Sequence, residues 1–383
     1  MYTAIDLFSG CGGLSLGLHQ ARVNGAPKIS TIVAVDSWAA AAETYKLNLG
    51  ITPRVARIDK NFVDALFAEI GPVDIVVGGP PCQGFSSSGK RALDDQRNSM
   101  VKTFLYAVET FRPKMFLMEN VTGFTTMQSG AIFHETLERA RALGYEVHAA
   151  VLLASAYGVP QRRRRFVMVG SRIGNFVFPR PKGLIRESST PDLDFDIRPA
   201  DLQIGSELSF LDATSDLPYL RPGGVGRKYK TEAQNAYQKK MRTGVSQLTE
   251  HFTPTHSKKI LQLLRYIPEG GSALDPEVLE RIPTEIRPGK GFANCYKRIR
   301  RNEPSPTITR NFTTPSSANC VHPTSTRALT LREGARCQSF PDKYRFTGTI
   351  DEKRLQIGNA VPPLLARAIG VELIRTLSGC TEK

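Results

Sequence analysis

The sequence predicts an α/β protein with a doubly wound, mostly parallel sheet and a second, smaller, loop-rich domain. Three observations favour this class. Short apolar runs alternate with helical patterns from Met1 to about Gly170, and a glycine-rich turn follows the first run. From about Phe178 to Leu220 the pattern gives way to proline, serine and aspartate, ahead of a strongly basic region. Alternating strand and helix signals are typical of a parallel sheet covered by helices on both faces.

The individual elements follow from the apolar patterns. The candidate strands are YTAIDLF, TIVAVD, VDIVVGG, KMFLMEN, EVHAAVLLAS and RFVMVGS. Helices are predicted at LSLGLHQA, SWAAAAETYKLN, FVDALFAEI and VKTFLYAVETF, and a last one at PPLLARAIGVELIRTL. Each strand followed by a helix predicts a parallel crossover, so ligand-binding loops are expected at the carboxyl edge of the sheet.

The charge and cysteine content narrow the class of protein. Lys and Arg number 51 against 36 Asp and Glu, which gives a net charge of +15. This charge favours a polyanionic partner, nucleic acid first, but by itself fits a generic basic protein equally well. The basic residues concentrate between Arg221 and Pro323 with tyrosines among them, which predicts a nucleic-acid-facing domain rather than a solvated rim. Six scattered cysteines form no C-x-x-C pair, so no metal site or disulfide scaffold is expected.

No membrane segment or signal peptide is expected. No apolar run approaches the roughly 20 residues of a membrane helix, and the glycine-rich turn begins within the first ten residues. The sequence therefore predicts a soluble, intracellular protein in a reducing compartment.

The first strand leads into a turn suited to a nucleoside cofactor. Glycines at Gly10–Gly13 let a ligand approach the backbone, although Ser15 breaks the dinucleotide pattern G-x-G-x-x-G. Asp36 ends the second strand, where such folds place an acid against ribose hydroxyls, and Asp59 could accept from an adenine amino group. Each aspartate could instead be a helix cap. The spacing does not fix which nucleoside binds.

A constrained cysteine and a carboxylate follow neighbouring strands. Cys82 comes after DIVV in GGPPCQGFS, where Pro80 and Pro81 fix the backbone before it. Glu119 ends the next strand, and a desolvated carboxyl there could stay protonated and bind a ring nitrogen. Alternatively, Cys82 could be a small buried apolar residue and Glu119 could cap a helix. No histidine lies near Cys82 in sequence, so attack on an electron-poor carbon is favoured over Cys/His acyl transfer.

A row of polar residues enters the last predicted strand of the sheet. In VPQRRRRFVMVG, Gln161, Arg163 and Arg165 take alternate positions and therefore share one face. The pattern predicts a site.

In this order, DLFSGCGGLSLGL, GGPPCQGFS, MENV, QRRRRF and GNAVPP resemble the motifs of the cytosine-C5 DNA methyltransferases, Rossmann-like class I methyltransferases. The similarity continues through RALTLREGARCQSFPDKYRF and covers Ile5 to Pro363 apart from a variable middle. It implies methyl transfer from S-adenosylmethionine to C5 of cytosine in a specific short sequence of double-stranded DNA, with S-adenosylhomocysteine as product and no metal. It also implies a catalytic and cofactor-binding domain at 1–178, a target-recognition domain at 179–325, a hinge at 326–349 and a C-terminal segment at 350–383 that returns to the catalytic domain.

The resemblance assigns roles by position. Cys82 matches the nucleophile that adds to C6 of a flipped-out base. Glu119 matches the contact to N3 and the exocyclic amine, and Arg163 and Arg165 match the groups that hold the base and a nearby phosphate. The implied cofactor contacts are Phe8, Gly10, Cys11, Gly13, Asp36, Ser37, Asp59, Gly79, Pro81, Met100, Asn359 and Val361.

The resemblance also predicts the DNA contacts. The loop from Gln83 to Asn98 is expected to close on the flipped base, and base readout is expected in GFANCYKRIRR and TITRNFTTPSS. The expected contacts are Ser86, Lys90, Arg97, Gln161, Arg298, Arg300, Arg310 and Asn311. For the basic residues, contact with phosphate alone is the favoured alternative. Some relatives carry tryptophan directly after the ribose acid; here Ser37 precedes Trp38, so which of the two faces the adenine stays open.

Three other functions compete with this interpretation. A tRNA methyltransferase of the same chemistry would carry Phe-Thr after the cysteine, where Gln83 and Gly84 stand. A catalytically dead DNA-binding regulator would be expected to lose Cys82 or the glycine turn, and both are present. The third alternative is an unrelated thiol enzyme on the same fold, and the row of arginines and the basic middle region argue against it. We therefore predict a monomeric bacterial modification enzyme, cytoplasmic and nucleoid-associated, with a cognate restriction endonuclease as functional partner.

Overall fold

The computed structural model describes residues 1–81, 98–181, 207–289 and 295–379. The chain forms two compact units. The first combines Met1–Leu153, Arg164–Gly205 and Pro363–Lys383, and the second combines Ala154–Arg163 and Ser206–Pro362. The C-terminal residues that join the first unit thus begin at Pro363, while the stretch before them belongs to the second. The functional domain boundaries expected from the sequence stay a prediction.

The first unit contains a seven-stranded sheet, counted over the described residues, with strand order β3-β2-β1-β4-β5-β7-β6. Pairing is parallel from β3 to β5, whereas β7 runs antiparallel to both β5 and β6. All six predicted strands are confirmed, and the two-residue β3, too short to give a periodic pattern, was missed. The strands are β1 (Tyr2–Leu7), β2 (Ile29–Asp36), β3 (Arg54–Val55), β4 (Ile75–Gly78), β5 (Met115–Asn120), β6 (Glu146–Leu153) and β7 (Arg164–Ser171).

Helices follow the strands in the expected alternation, and the five predicted ones are confirmed as α1 to α4 and α12; α5 was not predicted. In the first unit they are α1 (Gly13–Gln20), α2 (Ala39–Leu49), α3 (Lys60–Ile70), α4 (Asn98–Phe111) and α5 (Ala131–Ala142). Those of the second unit are α6 (Phe210–Thr214), α7 (Ala236–Met241), α8 (Lys258–Leu263), α9 (Pro276–Arg281), α10 (Leu331–Cys337) and α11 (Ile350–Asn359). The chain ends in α12 (Pro363–Ser378), which belongs to the first unit.

The order of the strands reverses between β1 and β4. From β1 the chain moves to β2 and β3 on one side, and then crosses to β4 and β5 on the other. Right-handed crossovers therefore place α1 and α2 on one face of the sheet and α3 and α4 on the opposite face. The loops after β1 and β4 diverge at this reversal, which is where doubly wound sheets bind ligands.

Close packing joins the first and last helices of the first unit. A Cβ added to Gly17 of α1 would lie 2.4 Å from both the Ala366 Cβ and the Pro363 carbonyl oxygen of α12. Gly370 of α12 is similarly tight against α1, where an added Cβ would lie 2.9 Å from the Ala21 Cβ. Glycine at these positions lets the two helix backbones approach, so α12 covers the helix that follows the glycine-rich turn.

A large apolar cluster of the first unit lies between the sheet and α3 to α5. It includes a ring cluster in which Phe124 and Phe166 have centroids 5.0 Å apart and Phe116 and Tyr145 have centroids 5.1 Å apart. In the described chain no single helix is long and apolar enough to cross a membrane, although the bent pair Ile350–Asn359 and Pro363–Ser378 passes that test by length and composition.

Candidate active site

The turn between β1 and α1 uses left-handed backbone at alternate residues. Phe8 has φ 61°, Gly10 has φ 52° and Gly12, the N-cap of α1, has φ 87°. Glycine adopts this region without strain, whereas Phe8 is an exception of the kind found at ligand sites. Cys11 lies inside the turn with its side chain buried, and burial raises the pKa of its thiol to about 12, so it is not a nucleophile at neutral pH. Gly13 opens α1.

Asp36 connects the end of β2 to this turn. One carboxylate oxygen, Oδ2, accepts from the Gly10 amide at 2.7 Å, and the other, Oδ1, accepts from the Trp38 amide at 2.8 Å. Burial raises the pKa of Asp36, while the amides of Trp38, Gly10 and Ser37 partly offset that rise. Ser37 is exposed and Trp38 is half-buried at the N-cap of α2. The acid is therefore fixed beside the turn, and its contact with a ribose stays a prediction.

Two further predicted cofactor residues lie at the starts of α3 and α4. Asp59 is the exposed N-cap of α3 and accepts from the Phe62 amide at 2.9 Å. The helix-cap alternative is thus what the structure shows, and a contact of Asp59 with adenine stays a prediction. Met100 is half-buried near the start of α4.

The loop after β4 is tied to the end of β5. The Asn120 side-chain amide donates to the Pro80 carbonyl at 3.1 Å, and its own oxygen accepts from the Val121 amide at 2.8 Å. A Cβ at Gly79 would lie 3.3 Å from Oε2 of Glu119, so glycine gives that carboxylate room. Pro81 is the last described residue of the loop and is half-buried. The structure thus holds Pro80 against the end of β5, the strand that carries Glu119.

Several predicted residues lie outside the described part of the chain. The nucleophile Cys82 follows directly on Pro81, and the rest of the predicted closing loop comes after it. The predicted DNA contacts in that loop are Ser86, Lys90 and Arg97.

Glu119 and Arg165 form an ion pair at the same edge of the sheet. The Arg165 Nε lies 2.7 Å from Oε1 of Glu119, and only 12% and 13% of the two side chains is exposed. The antiparallel β7 begins where the parallel β5 ends, which is why a residue near the start of one meets a residue near the end of the other. Burial lowers the pKa of Arg165 and Glu119 opposes that shift, but a guanidinium stays charged. The pair is therefore a carboxylate locked in place by a planar cation.

A family model described as C-5 cytosine-specific DNA methylase matches residues 2–375. The chain belongs to this family. The methylase is 34% identical over 437 residues to the Type II methyltransferase M.AgeI of Thalassovita gelatinovora, covering 95% of this chain and 97% of that protein. It is 35% identical over 387 residues to the Type II methyltransferase M.DdeI of Desulfomicrobium norvegicum, covering 95% of this chain and 86% of that protein.

The fold of the methylase is shared with solved structures. A DNA modification methyltransferase encoded within a prophage (E. coli) superposes with a TM-score of 0.74 at 24% identity, over 99% of this chain and 100% of that one. Together the family and the relatives identify a DNA (cytosine-5-)-methyltransferase of the Type II restriction-modification kind, with DNA as substrate.

Gln161 and Arg163 are structural residues of the second unit. Gln161 is fully buried; its amide nitrogen donates to the Gln338 side-chain oxygen at 2.8 Å, and its oxygen accepts from the Ile308 amide. Arg163 is 1% exposed and donates to the carbonyls of Ile308 at 2.8 Å and Gly358 at 2.9 Å. The alternation of polar residues predicted that both side chains face a site. In the structure both side chains instead form hydrogen bonds that link loops of the second unit. The burial of both side chains does not favour the predicted DNA contact of Gln161 or a substrate contact of Arg163, and both contacts stay predictions.

Arg298 and Arg300 differ sharply in their surroundings. Arg298 is buried, and its guanidinium donates to four backbone carbonyls at 2.5 to 2.8 Å, those of Leu264, Ile267, His322 and Ser325. Four of its five N–H groups are thus used within the protein, and the predicted base contact of Arg298 stays a prediction that this burial does not favour. Arg300 is exposed, with its guanidinium packed against Gly270 and its Nε 3.6 Å from Glu303.

The remaining predicted residues of the second unit lie close to one another. A Cβ at Gly358 of α11 would lie 2.5 Å from the Arg310 nitrogen, so the end of α11 abuts the TITRNF segment. Asn311 accepts from Arg354 of α11 at 2.9 Å. Arg310 is exposed and Asn311 half-buried. Asn359, the last residue of α11, is exposed and the nearby Val361 is half-buried.

The buried ion network around α10 was missed at the sequence level. Arg327 forms a two-point pair with Glu333 at 2.8 Å, and Arg336 bonds Asp342 at 2.6 Å and Asp216 at 3.2 Å. Burial alone would raise the pKa of Glu333, but Arg327 outweighs that effect and holds it well below 4.5. The capping-box signal T-x-x-E at Thr330, together with three arginines in an otherwise apolar stretch, could have indicated this network.

Proposed function

We propose that the methylase transfers a methyl group from S-adenosylmethionine to C5 of cytosine within a short, specific sequence of double-stranded DNA. The proposed route is covalent addition of Cys82 to C6 of a flipped-out base. The observation that carries the proposal is the Glu119–Arg165 pair, fixed beside the Gly79–Pro81 loop at the point where the strand order reverses.

The residues after β1 and β2 fit an adenosine-type cofactor. The left-handed glycines Gly10 and Gly12 leave the backbone of the turn open to close approach, and the desolvated Asp36 supplies an acceptor for ribose hydroxyls. Ser37, Asp59, Gly79 and Met100 would complete the adenosine side. When bound, S-adenosylmethionine supplies a methyl group on a positively charged sulfur.

The protein's own residues activate the base. Thiolate addition at C6, with one proton shared between Glu119 and N3 that passes to N3, converts C5 into an enamine carbon that can attack the methyl group and release S-adenosylhomocysteine. Loss of the C5 proton and elimination of Cys82 then give 5-methylcytosine. Because C6 is out of reach inside a duplex, the base leaves the stack at a cost of a few kcal/mol. Pro80 and Pro81, anchored by Asn120, limit the freedom of the thiol before the attack.

The arginines take different parts in this scheme. Arg165 holds the carboxylate of Glu119 at 2.7 Å and so orients it toward the base. Arg163 is a positioning residue, since it joins the Ile308 and Gly358 carbonyls of the second unit. Phosphate and base contacts are proposed for the exposed or half-buried residues Arg300, Arg310 and Asn311. Ser86, Lys90 and Arg97 stay proposed contacts of the closing loop.

The covalent route is tested with Cys82→Ser. The variant is expected to lose methyl transfer while binding S-adenosylhomocysteine with an unchanged Kd in calorimetry. A duplex that carries 5-fluorocytosine at the target should trap a covalent complex with the wild type, because the C5 substituent cannot leave as a proton. Methyl transfer by Cys82→Ser at a rate near that of the wild type would overturn the assignment.

The biological setting follows from the bacterial relatives. We propose a cytoplasmic, monomeric modification enzyme that protects host DNA from a cognate restriction endonuclease. Bisulfite sequencing of DNA from expressing cells should show one short motif methylated, whereas absence of any methylated motif would contradict the proposal. Sedimentation at micromolar concentration checks the monomer.

A further inference from the structure

A buried chain of polar side chains lies behind the glycine-rich turn of the first unit. Asp6 of β1 contacts the Ser15 hydroxyl of α1, with Oδ2 and Oγ 2.6 Å apart. Ser15 Oγ lies 3.0 Å from Thr31 Oγ1 of β2, and Thr31 Oγ1 lies 3.0 Å from Nε2 of His19. Tyr45 of α2 donates its hydroxyl to Ser15 at 2.8 Å. The chain therefore joins both ends of the turn, because Asp6 precedes it and Ser15 follows it.

Counting protons shows what a proton on Asp6 adds to the chain. The Thr31 backbone amide donates to His19 Nε2 at 3.1 Å, so this ring nitrogen carries no proton and can only accept. Four of the side-chain contacts among these groups are Asp6 to Ser15, Ser15 to Thr31, Thr31 to His19 and Tyr45 to Ser15. The three hydroxyl groups supply three protons. A neutral Asp6 supplies the fourth from its carboxyl group, whereas with a carboxylate, which can only accept from Ser15, one of the four contacts holds no proton.

The second oxygen of Asp6 supports the same assignment. Asp6 is completely buried, and its Oδ1 has no hydrogen-bond partner in the described structure. A carboxylate would leave half of a full negative charge on that unsolvated atom, which is far more costly than the carbonyl oxygen of a neutral acid.

We propose that Asp6 is held as a neutral carboxylic acid and acts as a positioning residue, the terminal donor of the chain Asp6–Ser15–Thr31–His19 that holds the cofactor turn closed. The inference rests on the proposed cofactor site in saying what the turn binds, but the protonation of Asp6 stands on the geometry alone. Loss of the proton leaves the chain one hydrogen bond short and loosens the turn.

The surroundings of Asp6 make this proton sensitive to pH near neutrality. The titratable groups that face it in the described chain are Asp36 of β2 and Tyr45 of α2, and His19 of α1 lies at the far end of the chain. Burial raises the pKa of Asp6 to about 7; the Ser15 bond lowers it and the charge of Asp36 adds to the rise. Since the pKa is raised above its ordinary 3.8, the stability this group contributes declines as pH rises toward about 7.

Asp6→Asn tests the assignment, because an amide N–H can donate to Ser15 at every pH. At pH 8 the variant is expected to unfold at a higher temperature than the wild type, and the infrared difference spectrum of wild type minus variant at pH 5 should show a protonated carboxyl band. Asp74→Asn is the matched control. Asp74 accepts from Thr3 and pairs with Lys114 at 2.8 Å as a carboxylate, so its replacement should lower the unfolding temperature.

The effect on the turn is measured with S-adenosylhomocysteine, which carries no sulfonium charge. Wild-type Kd should rise about fivefold from pH 6 to pH 8.5, the equivalent of one buried hydrogen bond. For Asp6→Asn it should stay flat, and for Ser15→Ala it should be weakened at both pH values. If Asp6→Asn destabilises the protein at pH 8 and removes no carboxyl band, the neutral-acid assignment is wrong. If the wild type fails to bind S-adenosylhomocysteine at all, the proposed cofactor is wrong, while the infrared and unfolding results still decide the state of Asp6.

Discussion

The guanidinium of Arg165 lies 2.7 Å from the carboxylate of Glu119, with both side chains almost out of contact with solvent. The two residues are 46 positions apart in the chain. They meet because β7 runs antiparallel to β5. An ion pair so poorly solvated depends strongly on both partners being present.

Arg165→Leu is therefore expected to lower the free energy of unfolding by about 3 kcal/mol, because Glu119 loses a cation 2.7 Å away in a desolvated place. Urea unfolding measures this. In a cycle with Glu119→Gln, the double variant should be more stable than the sum of the single effects predicts. Additive losses would show that the pair is not coupled.

The bond from Asn120 to Pro80 predicts a separation of catalysis from cofactor binding. Asn120→Ala frees the loop that leads to Cys82, so we expect kcat to fall at least about tenfold, the effect of a small misplacement of a reacting group. The Kd for S-adenosylhomocysteine should change less than twofold by calorimetry, because the turn after β1 is untouched. The exposed Asn302→Ala is the control. An equal loss in both variants would contradict the role given to Asn120.

The contact of α1 with α12 predicts an overpacking effect. Gly17→Ala puts a methyl group 2.4 Å from the Ala366 Cβ, and we expect a loss of about 1–3 kcal/mol in unfolding free energy. Gly123→Ala is the matched control, because nothing lies within 4 Å of its added Cβ and its φ is not positive. Equal stability of the two variants would show that α12 does not pack on α1 as described.

Arg298 and Arg300 should separate stability from DNA binding. Arg298→Ala strips the donor from four buried carbonyls and is expected to cost about 3 kcal/mol of stability. Arg300→Ala should change the free energy of unfolding by no more than about 0.5 kcal/mol. It should also reduce the slope of log Kd against log salt concentration for DNA binding by about one. Fluorescence anisotropy across a salt series gives the slope. A reversed pattern would restore Arg298 as a DNA contact.

The buried His322 predicts loss of stability in mild acid. Burial lowers its pKa from 6.5 to about 4, although Glu333 opposes the shift. Between these pH values the unfolded chain takes up a proton that the folded chain does not, so the unfolding free energy falls as pH drops, by about 3 kcal/mol. His322→Gln should flatten that slope, while the exposed His134→Gln should not. Parallel slopes for wild type and His322→Gln would refute this.

Local patterns were sufficient for much of the fold and for part of the site. The strands β1, β4, β5 and β7 show as apolar runs because most of their residues are buried. The less buried β2 and β6 are still apolar enough to be seen, whereas the two residues of β3 carry no such signal. The turn after β1 and the positions of Glu119 and Pro80 were also visible, since glycine and proline constrain the backbone wherever they stand.

The sequence by itself determined the alternation of strands and helices, the family and the candidate nucleophile Cys82. Only the tertiary structure decided which polar residue of a motif does what. Gln161, Arg163 and Arg165 follow one alternation, yet two are buried on backbone carbonyls and one holds Glu119. The physical reason is that a side chain's role depends on which donors, acceptors and solvent surround it, and those partners come from segments up to 195 residues away.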